Sequence, residues 1–143
     1  MINKSFLKNH FPVIFLCVLI FVLSSIPGQY YPEVNFEFSD KIVHFGIYFV
    51  LAIAFYMSLS HQNRYKLLAE HSFVFAVIFT GIYGASDELH QYFVPNRSCD
   101  FYDFLANLSG AIIAMALINY FVEVKRNRKR VNAKIRDFNK TSI

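Results

Sequence analysis

Four apolar runs alternate with short polar stretches along this chain of 143 residues. They cover about 11–26, 41–59, 72–93 and 101–122. Each is near the roughly twenty residues that carry a helix across a bilayer. The pattern predicts an all-α fold, a bundle of four transmembrane helices. Pro27-Gly28 follows the first run as a helix stop should. Residues 29–39 form a polar-aromatic loop with Tyr30, Tyr31, Pro32, Glu33, Phe36 and Phe38, a composition suited to the membrane–water interface. A hydrophilic turn with His61, Arg64 and Lys66 separates the second run from the third. The tight loop Val94-Pro95-Asn96-Arg97-Ser98 precedes the fourth. The first run also fits a secretory signal peptide. An uncleaved span is the preferred reading, because the later runs already commit the chain to the membrane.

Composition supports an integral membrane protein. Hydrophobic residues make up 55% of the chain, charged residues only 17%, and the mean hydropathy is +0.35. One domain over 1–143 accounts for the length, with a core of about 11–122 and a basic tail of about 123–143. The net charge of +4 does not point to nucleic acid, because of where it lies. Eight of the fourteen Lys and Arg residues follow the last apolar run, where they read as a topology anchor against anionic lipid. Lys4, Lys8, Arg64 and Lys66 mark the same side. Both termini are therefore expected in the cytoplasm. Cys17 sits within the first run and Cys99 in a loop, too far apart in depth for a disulfide.

With that topology, three polar clusters reach one membrane depth: Asp40-Lys41 with His44, Asp87-Glu88 with Gln91, and Arg97 with Asp103 and Asn107. An ionisable side chain in such a segment is costly and is a functional hypothesis by default. Asp40, His44 and Tyr48 recur every four residues and stack along one helix face. Asp40 has two compatible roles there, as a helix cap or as the carboxylate that orients His44. Gly81, Gly84, Glu88 and Gln91 share a face that lets another helix approach. Asp87 is about 100° around the helix from Glu88, where it is expected to pair with His90 or Gln91 at the surface. A structural reading of Glu88 is a salt bridge to Arg97 or Lys41. Asp103, Asn107, Gly110 and Ala114 share a face, with Asp103 as a cap for the fourth span and Asn107 as interhelical glue in the structural reading. Arg97, on a turn opened by Pro95, suits a phosphate or carboxylate.

The ordered set of these residues resembles the VanZ-like family. It comprises Leu23-Ser24-Ser25-Ile26-Pro27-Gly28, then Asp40-Lys41-Ile42-Val43-His44-Phe45 with Tyr48. Glu88, Gln91, Phe93, Pro95, Arg97, Ser98, Asp103, Asn107 and Gly110 complete it. The resemblance covers about residues 20–115. Asn96 departs from it, standing where glycine often precedes the arginine; asparagine tolerates a left-handed turn. The resemblance implies a small multi-pass bacterial membrane protein, in a family named for a protein of low-level teicoplanin resistance. It specifies no reaction.

The expected site is a polar pocket on the outer side of the plasma membrane that binds or acts on an envelope lipid or cell-wall precursor. His44, Glu88 and Asp40 are the candidate catalytic residues. Lys41, Arg97, Gln91, Asp103 and Asn107 are the candidate binding residues. An oxygen-rich set with one histidine would favour a hard divalent cation, magnesium, manganese or calcium, over structural zinc. Membrane lipids are the expected partners. Two other classes stay open: a structural or partner-binding protein locked by the same polar groups, and a small transporter. Uncharged inner stretches such as 73–80 and 111–118 argue against the last.

Overall fold

The computed structural model describes residues 4–31 and 39–141. The interfacial residues Pro32, Glu33, Phe36 and Phe38 lie outside the described residues. Five α-helices are present among those described: α1 (Lys4–Ser24), α2 (Ser39–Ser60), α3 (Lys66–Glu70), α4 (Ser72–Gln91) and α5 (Phe101–Thr141). A short 3₁₀ turn, Gly28–Tyr30, follows α1. Helices α1, α2, α4 and α5 are long and apolar enough to span a membrane. The four expected spans correspond to them. The turn between the second and third spans contains the additional short helix α3.

The larger difference is at the C-terminal end. The fourth span continues without a break into the basic segment as one helix of 41 residues. At 1.5 Å per residue it is about 60 Å long, twice the hydrocarbon thickness. Its basic side chains from Lys125 through Arg136 are exposed.

Helix α2 is the centre of the bundle and packs against α5, α4 and α1. The core is built of small residues: Ala52, Ala76, Ala111 and Ala114 have no exposed surface. Large apolar side chains such as Phe11, Ile14, Val18, Ile82 and Phe121 point outward instead. This is the distribution a bilayer favours, since lipid tails are as apolar as leucine and helices associate through close backbone approach. Gly110 makes that approach between α5 and α2. A Cβ there would lie 2.3 Å from the Phe45 carbonyl oxygen. Helix α1 is a looser flank, joined to α4 by a hydrogen bond from Tyr83 to the Cys17 carbonyl.

At one end of the bundle, α1 and α4 finish while α2 and α5 begin. Gly28 draws the end of α1 onto the α4–α5 loop. Its N–H donates to the Pro95 carbonyl at 3.0 Å, and a Cβ on it would collide with the Asn96 carbonyl. Asn96 takes a φ of 56°, the left-handed turn expected for it. Cys17 and Cys99 are both free.

Candidate functional site

The predicted polar residues meet at this end. A cavity of about 560 Å³ lies between α1, α2, α4 and the Asn96–Ser98 loop. Ile20 and Leu23 of α1 and Val43 and Ile47 of α2 give it an apolar wall. Asp40, His44, Asp87, Gln91, Arg97 and Asp103 supply the polar lining. Glu88, Asn107 and Lys41 do not line it. They stand behind or beside the residues that do.

His44 is the pivot. It is buried, with 7% of its surface exposed. Its Nδ1 lies 3.0 Å from Asn107 Oδ1 and 3.5 Å from Glu88 Oε1. An amide oxygen only accepts, so Nδ1 carries the hydrogen. Asn107 Nδ2 in turn donates to Glu88 Oε1 at 3.4 Å, which fixes the amide orientation independently. Glu88 also accepts from the Asp100 N–H at the start of α5, 3.3 Å away. The imidazole is thus held from behind through Nδ1, and Nε2 is left on the side of Asp40 and the cavity mouth.

This revises the role expected of Asp40. Its Oδ1 is 3.8 Å from His44 Nε2, beyond hydrogen-bonding distance, and its side chain is 52% exposed. Asp40 belongs to the mouth of the site, and the tautomer is set by Asn107 and Glu88. Nor does Asp40 make a capping hydrogen bond among the described residues. Glu88 pairs with neither Arg97 nor Lys41. Asn107, fully buried, joins three helices as interhelical glue would while also aiming the imidazole.

Lys41 is not available to hold an anion. Its ammonium lies 2.7 Å from Asp100 Oδ2, 2.8 Å from Asp103 Oδ1 and 3.9 Å from Asp40 Oδ2. The contact with Asp103 is an ion pair whose alignment falls outside that of a hydrogen bond. Asp100, which sequence reasoning left out of the site, caps α5 by accepting from the Tyr102 N–H at 2.8 Å. That role had been expected of Asp103. The signal was present: Asp100 directly precedes the apolar run, where an N-cap belongs. The Lys41 hydrogen bond, and after it the Tyr102 N–H, hold the Asp100 carboxyl below its ordinary value of 3.8.

Asp87 also departs from expectation. It is buried, not at the surface. Its Oδ2 accepts from the Tyr48 hydroxyl at 2.8 Å and from Gln91 Nε2 at 3.3 Å. The pairing with Gln91 is as expected. His90 instead meets Ser25 Oγ at 2.9 Å and packs at a tilt against the Phe21 ring. A helix surrounded by neighbours can bury two adjacent carboxylates toward different ones. Glu88 faces α5 while Asp87 faces α2. Gly84 leaves room for this, since a Cβ there would crowd both Tyr48 and Asn107.

Arg97 lies over the Tyr31 ring, its guanidinium carbon 4.2 Å from the ring centre. Its Nε is buried and has no hydrogen-bond acceptor among the described residues. An unmet guanidinium N–H on a cavity lining is a place for an anion to bind.

Residues 10–122 match the family described as VanZ/LLP1. The chain belongs to the VanZ/LLP1 family. The match takes in the four spans and the whole polar cluster. It stops where α5 leaves the apolar stretch, so the basic extension lies outside it. An uncharacterized protein of Schizosaccharomyces pombe, C11E3.10, is 27% identical over 120 residues, which are 82% of this chain and 68% of that protein. No solved structure matches. The VanZ/LLP1 assignment agrees with the resemblance carried by the sequence motifs, and a eukaryotic relative accompanies it.

Proposed function

We propose that this VanZ/LLP1 protein binds an envelope lipid or lipid-linked cell-wall precursor in the cavity at the ends of α1 and α4. The observation that carries this reading is Arg97. Its guanidinium is braced on Tyr31, its buried Nε lacks an acceptor among the described residues, and it borders a cavity with an apolar wall. Such a site suits a molecule with a phosphate or carboxylate at one end and a hydrocarbon chain at the other. The chain can run along Ile20, Leu23 and Ile47 while Arg97 holds the anion. His44 Nε2 faces the same space and is placed to take or give a proton to the bound headgroup.

The charge pattern sets the orientation we assign. The basic C-terminal part of α5 and the Arg64–Lys66 turn lie in the cytoplasm, both termini are inside, and the cavity faces outward from a bacterial plasma membrane. Binding of a cell-wall precursor there would connect the site to glycopeptide tolerance.

Native mass spectrometry of the full chain, released from lipid nanodiscs, tests the reading. One phosphorylated or glycosylated lipid should remain bound to the wild-type protein, and Arg97→Ala should lose it. A wild-type protein that retains no lipid would rule the reading out.

A second reading is supported by a different set of contacts. Lys41–Asp100, Lys41–Asp103 and Tyr48–Asp87 join α2 to the start of α5 and to α4. These residues are a structural lock, and the ligand site is confined to Arg97, His44 and the groups at the mouth.

A further inference from the structure

We propose a divalent metal site made by Asp40, His44 and Asp103. One ligand atom from each of these residues lies within 4.8 Å of the other two. Metal bonds of about 2.0–2.2 Å would bring such atoms about 3–3.5 Å apart. Closing that gap takes a small rotation of Asp40, whose side chain is half exposed at the rim.

The cluster alone would not carry the assignment. The decisive observation is how His44 is held. Its ring is more than nine-tenths buried, and its Nε2 lies 3.8 Å from Asp40 Oδ1. That nitrogen has no hydrogen bond among the described residues. Its other nitrogen donates to Asn107, which is itself held by Glu88. Metal-binding histidines are supported in this way, with the far N–H anchored and the near lone pair left to the ion.

Electrostatics points in the same direction. Asp40, Asp100 and Asp103 lie within 4.0 Å of one ammonium, and Glu88 stands 3.5 Å from the imidazole. Four carboxylates against Lys41 and, on the same cavity lining, Arg97 leave an excess of negative charge at this end of the bundle. Lys41 meets only Oδ1 of Asp103, and a carboxylate has a second oxygen to offer. A divalent ion would offset the excess without displacing the lysine.

The ligand set is one nitrogen and two carboxylates, because Glu88 and Asn107 support the histidine from behind. Nitrogen in the set shifts preference from magnesium and calcium toward manganese or zinc. Three protein ligands leave open coordination positions on the cavity side, where water or a phosphate oxygen can reach the ion. The site stands on this geometry and is independent of the lipid reading.

The test uses the full chain in detergent, stripped with a chelator and titrated with Mn²⁺ alone by electron paramagnetic resonance and with Zn²⁺ alone by calorimetry. One equivalent should bind. Asp40→Asn, at an exposed position that does not hold the fold, should remove most of the affinity. Glu88→Gln, acting through His44, should weaken it about 10–100-fold. Zn²⁺ should shift the nitrogen resonance of His44 Nε2 far more than that of Nδ1. Absence of saturable binding would overturn the site, and so would binding that Asp40→Asn leaves unchanged. A protein that carries lipid but no stoichiometric metal would keep the lipid reading and lose this one. Metal without lipid would do the reverse.

Discussion

Asn107 of α5 accepts a hydrogen bond from His44 of α2 at 3.0 Å, and this contact decides the chemistry of the imidazole. Because the amide oxygen cannot donate, Nδ1 carries the hydrogen of this bond and Nε2 is the nitrogen left on the cavity side. Four further expectations follow from contacts of this kind.

The α2–α5 contact should tolerate no side chain at Gly110. A methyl group there would meet the Phe45 carbonyl oxygen at 2.3 Å, and backbone cannot yield as a flexible side chain can. Gly110→Ala should destabilise the bundle by about 1–3 kcal/mol. Gly46→Ala is the control. Nothing lies within 4 Å of that position, and alanine is the better helix former. Thermal unfolding in detergent should show a fall in Tm for the first and none for the second.

Tyr48→Phe should cost about 1–3 kcal/mol, because the buried Asp87 carboxylate loses its 2.8 Å donor and keeps only the longer bond from Gln91. A second substitution, Asp87→Leu, would then restore part of the loss. Tm values of the two single variants and the double variant measure the coupling.

The Asp100 carboxyl should make stability acid-sensitive. Its folded value is depressed by Lys41, so its contribution is complete above the ordinary value of 3.8 and is lost as pH falls through the lower folded value. Wild-type Tm should therefore fall more steeply than that of Asp100→Asn as pH is lowered below 3.8. Parallel curves for the two proteins would contradict this.

Arg97→Lys should separate charge from shape. The ammonium keeps the positive charge but loses the planar stack on Tyr31 and the forked N–H donors. The partly exposed position predicts a stability change within about 0.5 kcal/mol, and so little movement of Tm. Retained lipid, read by mass spectrometry, should fall sharply. Equal losses in Tm and in lipid would mark Arg97 as a fold residue.

The spans were legible because hydropathy is a local property. Twenty apolar residues enter a bilayer whatever their neighbours, so α1, α2, α4 and most of α5 could be read directly from the chain. The four-residue spacing of Asp40 with His44, and of Asp103 with Asn107, follows from helix geometry in the same way. The family motif could be read too, since it is a linear order of residues. The sequence alone therefore determined an all-helical membrane bundle whose polar residues gather at one end.

Only the tertiary structure decided which of those residues share a bond. Lys41 was a candidate anion ligand until the start of α5 brought Asp100 and Asp103 against it. Asp87 was assigned to the surface because its angle on one helix was known and the position of α2 was not. Glu88 and Asn107 passed from the cavity to the support of His44 because Gly84 and Gly110 let three helices close to that depth. Pairing between side chains depends on helix rotation and on distances of a few ångströms. Those are properties of the packed bundle, set by where small residues let backbones meet, and no single helix contains them.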